Sequence, residues 1–142
     1  SPIFNDPEYN STGNEKDNWR LDFAKDDISI EVAFNHSSAI AWNLLKPVLA
    51  SELNHVEKAI QTRLGVIICA TSELRVAGGF DAAIGTYDKF LKYLLPLNNQ
   101  LSVPLLIIGL EPPETFKVVQ SAKENGAKIG SVCMLETGEI LS

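Results

Sequence analysis

Several things are scarce in this sequence. Cysteine occurs twice, at Cys69 and Cys133, with no second cysteine at zinc-binding spacing, so no structural zinc site of the usual kind is encoded. Each sits in an apolar run, Val66-Ile67-Ile68-Cys69 and Val132-Cys133-Met134-Leu135. That points to free thiols buried as small hydrophobes and fits a cytoplasmic origin. No apolar run approaches the roughly 20 residues of a membrane helix. Positive charge is also short: 12 Lys and Arg against 18 Asp and Glu leave a net charge of −6. The deficit argues against a nucleic-acid partner, because phosphate contacts need Lys and Arg. It loses force if the acids are gathered round a metal ion, or if flanking segments carry basic residues. The chain opens Ser1-Pro2-Ile3-Phe4, with no Met and no basic-then-apolar leader. That is not a signal peptide, and the expectation is a piece of a longer chain. There is no Ser-His-Asp or Cys-His pattern of a nucleophilic enzyme. Gly78-Gly79 is too short a pattern for a phosphate-cradling loop.

What is present is enough for one compact domain over residues 1–142, since 45% of the residues are apolar. Residues 1–18, rich in Asn, Ser, Asp, Gly and Pro, read as loop. Then Leu21 and Phe23 alternate with Arg20, Asp22 and Ala24. After the polar corner Lys25-Asp26-Asp27, Ile28, Ile30, Val32 and Phe34 alternate with Ser29, Glu31 and Ala33. Alternation on both sides of a short turn predicts a β-hairpin. Its apolar face is expected to meet the core, with Asp22, Glu31 and Ala33 on the other face.

A helix is expected after Ser37 or Ser38, with Pro47 breaking it or starting a second one. Leu49, Leu53, Val56, Ile60 and Leu64 repeat at helical spacing up to Gly65. Gly65 to Ala70 and Val103 to Leu110 predict buried strands, Ala82 to Leu95 a helix, Thr115 to Asn125 a helix stopped by Gly126, and Ile129 to Leu135 a last strand. The order β-β-α-β-α-β-α-β makes an α/β domain with a mixed central sheet flanked by helices.

The chemistry-bearing group is Asp22 with Glu31. Two carboxylates on one face of a hairpin repel unless a cation lies between them. Hard oxygen donors of this kind suit Mg²⁺, completed by water and substrate phosphate. The bland alternative is an ordinary solvated acidic face. Asn35 lies on the same nominal face as Glu31 and Ala33, and His36 follows it at a strand-to-helix corner. Either is a candidate to handle a water, Asn35 only by orienting it and His36 through its near-neutral titration. His55 is expected on the polar side of its helix. Glu52 and Glu57 flank the apolar stripe as candidate outer acids or solvated residues. Trp19, Trp42, Phe80 and Tyr87 are expected to pack rather than stack on bases.

The run Asp22-Phe23-Ala24-Lys25-Asp26-Asp27-Ile28-Ser29-Ile30-Glu31-Val32-Ala33-Phe34 resembles the catalytic hairpin of the BglII and BstYI type of restriction endonuclease, which has Asp-Phe, Lys and Asp in the turn, and Glu-Val-x-Phe. Ser51-Glu52-Leu53 with His55, and Val103-Pro104-Leu105 through Ile108-Gly109-Leu110, are similar to later elements of that family, so the resemblance spans about Asp22 to Leu110. It implies the PD-(D/E)xK nuclease fold, a homodimer acting on double-stranded DNA with Mg²⁺ or Mn²⁺, and metal-ligand roles for Asp22 and Glu31. The departure is Ala33, where the wider group has Lys and the close relatives Gln. Either Asn35 or His36 takes over that work, or cleavage is slow, or the chain is an inactive nuclease-fold module that binds DNA or protein.

Overall fold

The computed structural model describes residues 1–9, 19–53, 55–122, 126 and 128–141. The part of the 1–18 loop assignment that falls on residues 10–18 therefore lies outside the described residues. Strands β1 (Phe23–Lys25) and β2 (Ile28–Val32) form the expected hairpin. They pair antiparallel from Phe23↔Ile30 to Lys25↔Ile28 across Asp26-Asp27. Asp26 takes φ 50°, a left-handed turn that Asp tolerates better than most residues. β3 (Leu64–Ala70) lies parallel to β2, and β4 (Leu105–Leu110) parallel to β3. The sheet order β1-β2-β3-β4 is thus mixed, as the sequence predicts.

The register sorts side chains onto two faces. Ser29, Glu31 and Ala33 share one with Gly65, Ile67 and Cys69. Ile28, Ile30 and Val32 share the other with Leu64, Val66 and Ile68. The expectation of which face is covered was inverted. Helices α1 (Ile40–Ser51) and α3 (Tyr87–Leu94) pack on the face of Ala33, where Ile40, Leu44, Ile67, Cys69 and Phe90 make the main core. Ser29 and Glu31 are buried there, whereas Phe23, Ile28, Val32 and Leu106 on the opposite face are exposed. The helices settle where Gly65, Ala33 and Cys69 leave room. Bulky Ile and Leu on the second face offer no groove for so close an approach.

Pro47 lies inside α1 without ending it. The helix stops at Ser51 rather than continuing to Leu64, because the next segment takes its last carbonyls. Val48 O accepts from Glu52 N at 2.8 Å, Ala50 O from Thr62 N at 3.2 Å, and Ser51 O from Gln61 Nε2 at 3.2 Å. Leu49 O accepts from the Lys58 ammonium, which also lies 4.7 Å over the Phe4 ring. The spacing of Val56 and Ile60 is real but not helical. The segment runs beside Ile3 to Asn5, with Asn5 N→Glu57 O 2.9 Å and Ala59 N→Ile3 O 3.0 Å, and packs on a second cluster of Ile3, Phe4, Leu21 and Ala50.

α2 (Ser72–Ala77) was not anticipated; Thr71 caps it by accepting from Leu74 N at 3.1 Å. α3 begins at Tyr87 rather than Ala82. The expected helix from Thr115 is instead β5 (Phe116–Ala122), paired antiparallel with β6 (Lys128–Met134), which also pairs with β7 (Ile140–Leu141) in a separate three-stranded sheet. Phe116, Val118 and Val119 prefer the pleated surface, and Gly126, at φ 79°, belongs to a hairpin connection and not to a helix end. Residues 123–125 of that expected helix lie outside the described residues. No helix among the described residues is long and apolar enough to cross a membrane.

Candidate metal centre

Asp22 sits one residue before β1, opposite Glu31 of β2, and the two carboxylates hydrogen-bond across the hairpin. Glu31 Oε1 accepts from Asp22 N at 3.2 Å, and Asp22 Oδ2 accepts from Val32 N at 2.7 Å. Each acid is therefore held by the other's strand, close to where hairpin pairing begins. The environments differ. Asp22 is exposed, and Glu31 is 2% exposed beneath α1. Burial pushes the Glu31 carboxyl above the ordinary carboxylate range and the Asp22 charge adds to that, while the Lys46 ammonium and the Asp22 backbone N–H pull it back.

Lys46 is the residue that sequence reasoning missed. It reaches from α1 to form an ion pair with Glu31 Oε2, with side chains 12% and 2% exposed, and also donates to Arg20 O at 3.3 Å. A signal was available. Before Ser51, Asn43 and Lys46 are the only strongly polar side chains of α1, three residues apart, and residues three apart lie on one helix face.

The two sequence candidates beyond β2 are engaged elsewhere. Asn35 Oδ1 accepts from Nδ2 of buried Asn43 at 2.9 Å, and Asn35 O accepts from Gly85 N at 2.9 Å. His36 Nδ1 lies 2.9 Å from Ser38 Oγ and accepts from Ser38 N at 3.1 Å, capping a 3₁₀ turn over Ser37–Ala39. Glu52 accepts from Ser102 Oγ at 2.6 Å and Glu57 from Asn5 Nδ2 at 3.1 Å. His55 is exposed at φ 62° and lies on no helix. The aromatics pack as expected: Trp19 meets Trp42 edge-on at 5.3 Å, Phe80 meets Phe34 at 5.7 Å, and Tyr87 lies against the main core. Cys69 is buried, whereas Cys133 is only partly so.

No group of three or more His, Cys, Asp and Glu among the described residues could hold a metal ion, which argues against a closed zinc-type cage. The pair of Asp22 and Glu31 offers hard oxygen donors of another kind. Mg²⁺ commonly takes one or two carboxylates and leaves its other positions to water and substrate phosphate, and the exposure of Asp22 leaves that side open. Ala33 is 1% exposed inside the core, where the resemblance led to the expectation of a long side chain.

No curated protein sequence is significantly similar to this chain. A solved structure is: the crystal structure of restriction endonuclease BglII complexed with a DNA 16-mer superposes with a TM-score of 0.58 over 82% of this chain, at 18% identity. The match takes in 56% of that BglII chain, so the present chain spans little more than half of it. The likeness bears out the mixed α/β fold, structurally similar to BglII. The family model of restriction endonuclease BglII/BglIII matches residues 1–110, which include the hairpin, α1 and β4. The chain belongs to the BglII/BglIII restriction endonuclease family.

Proposed function

We propose that this chain is the catalytic part of a Mg²⁺-dependent endonuclease that hydrolyses phosphodiester bonds in double-stranded DNA, as a type II site-specific deoxyribonuclease. The observation that carries the reading is the reciprocal clasp of Asp22 and Glu31, which fixes two hard oxygen donors on one side of a hairpin. Bound there, Mg²⁺ or its substitute Mn²⁺ would lower the pKa of a water and offset charge on the phosphate. Asp22 and Glu31 would hold the ion. Asn35 has its amide oxygen tied to Asn43, which leaves its amide nitrogen as a donor towards water, and His36 is the next residue to test. Duplex cleavage at a palindrome calls for two such sites related by a two-fold axis, hence a homodimer.

The second reading, a nuclease-fold module that binds DNA or protein without cutting, is favoured by the burial of Ala33 and by the net charge of −6. One experiment separates them. The chain is titrated with Mn²⁺ by calorimetry and then incubated with supercoiled plasmid and millimolar Mn²⁺, with Asp22→Ala alongside. The proposal expects nicked and linear products from the parent, and neither products nor metal binding from Asp22→Ala. Equal metal binding by the two proteins would show that the site is misassigned. Metal binding without cleavage would favour the inactive module.

A further inference from the structure

We propose that Lys46 is a catalytic residue, supplying from helix α1 the positive charge that Ala33 cannot supply from the strand. The inference rests on the reading of Asp22 and Glu31 as the cleavage site. Nothing in the hairpin itself provides a cation beside Glu31, but α1 does. The Lys46 side chain is 12% exposed and its ammonium touches Glu31 Oε2. It also donates to Arg20 O at 3.3 Å. An ammonium has three donors, so one is left for a group arriving from solvent.

Its place is fixed by packing. The next residue, Pro47, sits so close to Gly65 of β3 that a Cβ at position 65 would lie 2.5 Å from Pro47 Cβ. That contact holds this turn of the helix at a set distance above Glu31. Three other cations are committed elsewhere. Lys58 lies on Leu49 O, Lys89 on Ala82 O and Ile84 O, and Arg63 on Asp27 at 3.6 Å.

A phosphate seated against Asp22 and Glu31 meets Lys46 at once. In hydrolysis the water oxygen bonds to phosphorus and the bond from phosphorus to the leaving sugar oxygen breaks. The water gives up a proton to solvent, and the leaving oxygen takes one from solvent. Negative charge grows on the phosphate oxygens meanwhile, and Lys46 opposes it as a fixed positive charge. The rival account makes Lys46 only the counter-ion of buried Glu31, occupying the place of the metal.

The test uses Lys46→Gln, which keeps a donor for Glu31 without the charge, and Lys46→Arg, which restores the charge in a different shape. Thermal melts check folding. Three quantities are then measured: Mn²⁺ affinity by calorimetry, single-turnover plasmid cleavage in Mn²⁺, and the salt dependence of binding to a phosphorothioate duplex in Ca²⁺. Lys46→Gln should bind Mn²⁺ at least as tightly as the parent. It should cut slower by a factor on the order of 10²–10³, the usual effect of losing one fixed donor to developing charge. Its log–log salt slope should fall by about 0.9, one phosphate contact. Lys46→Arg should recover part of both losses. If the parent cuts and Lys46→Gln cuts equally fast with an unchanged slope, the inference is overturned and Lys46 is a counter-ion. If the parent binds Mn²⁺ and cuts nothing, the cleavage reading fails and takes the catalytic role with it.

Discussion

Gly65→Ala tests the contact that positions α1 over the sheet. The added Cβ would lie 2.5 Å from both Pro47 Cβ and Leu105 Cδ2, against an ordinary carbon–carbon contact of about 3.5–4.0 Å. Leu105 can turn its tip aside. Pro47 cannot, because its Cβ is fixed to the backbone of α1. The helix must therefore lift by about 1 Å at this turn, and overpacking of that kind costs about 1–3 kcal/mol. Replacing Gly by Ala also restricts the unfolded chain, which offsets about 0.4–1 kcal/mol. The net loss is about 1–2 kcal/mol, the middle of that difference. For 142 residues, an unfolding entropy of about 2.1 cal/mol/K per residue turns this into a Tm lower by roughly 3–7 °C. Thermal denaturation followed by far-ultraviolet circular dichroism reads it directly. The lifted helix also carries Lys46 away from Glu31, so cleavage should fall in a variant that remains folded. A Tm equal to or above the parent's would show that α1 is not seated at this distance, and the argument for Lys46 would lose its anchor.

Other outcomes follow from the same packing. Leu44 is fully buried in the main core, so Leu44→Ala should cost about 3–5 kcal/mol in urea denaturation; less than 1 kcal/mol would place that core elsewhere. Burial raises the Cys69 thiol to about 11, while Cys133 is partly exposed, so a disulfide reagent at pH 8 should titrate one thiol in the native chain and two in denaturant. A folded value above the ordinary 9.0 favours the protonated thiol. Its stabilising effect is complete below pH 9 and disappears as pH rises through 11, and a chain equally stable at pH 8 and pH 11 would contradict it. Asn43→Ala removes the donor to Asn35 Oδ1 and should destabilise by about 1 kcal/mol, with a larger loss of cleavage if Asn35 orients the water; unchanged cleavage would remove Asn35 from the mechanism.

The hairpin was legible because its signal is local. Period-two alternation and a polar turn fix the register, and the register alone places Asp22 opposite Glu31. β3 and β4 were legible as short continuous apolar runs, which parallel strands covered by helices commonly are. The burial of the two sheet faces was not legible. Alternation says which residues share a face but not which face the helices choose, and here small Gly65, Ala33 and Cys69 outweighed the greater apolarity of Ile28, Ile30 and Val32. Helical spacing from Leu49 to Leu64 misled for a related reason. Carbonyl partners from Lys58, Gln61 and Thr62 end the helix at Ser51, and such long-range partners leave no periodic trace. Phe116 to Ala122 became a strand because β6 lies beside it, again a tertiary decision. Lys46 was not legible because it lies far from Ala33 in sequence and reaches Glu31 from another element, α1.

Ala33 itself follows from the same geometry. With 1% of its surface exposed, it packs among Ile40, Leu44, Ile67, Cys69 and Phe90. A Gln or Lys there would push against α1, at about 1–3 kcal/mol for overpacking, with a further cost for burying an unpaired polar end. A small residue at 33 and a helix carried close enough for Lys46 to reach Glu31 are thus two sides of one arrangement. A long side chain on the strand would displace the helix, and with it the lysine. Ala33→Lys should therefore lower the Tm and slow plasmid cleavage in Mn²⁺, although it installs the residue that the wider group carries on this strand. Ala33→Ser, nearly the same size, should leave α1 seated and cleavage almost unchanged, with a Tm loss limited to the burial of one hydroxyl. A stable Ala33→Lys that cuts faster than the parent would mean that position 33 opens towards the phosphate, and that α1 leaves room there for the strand's own cation.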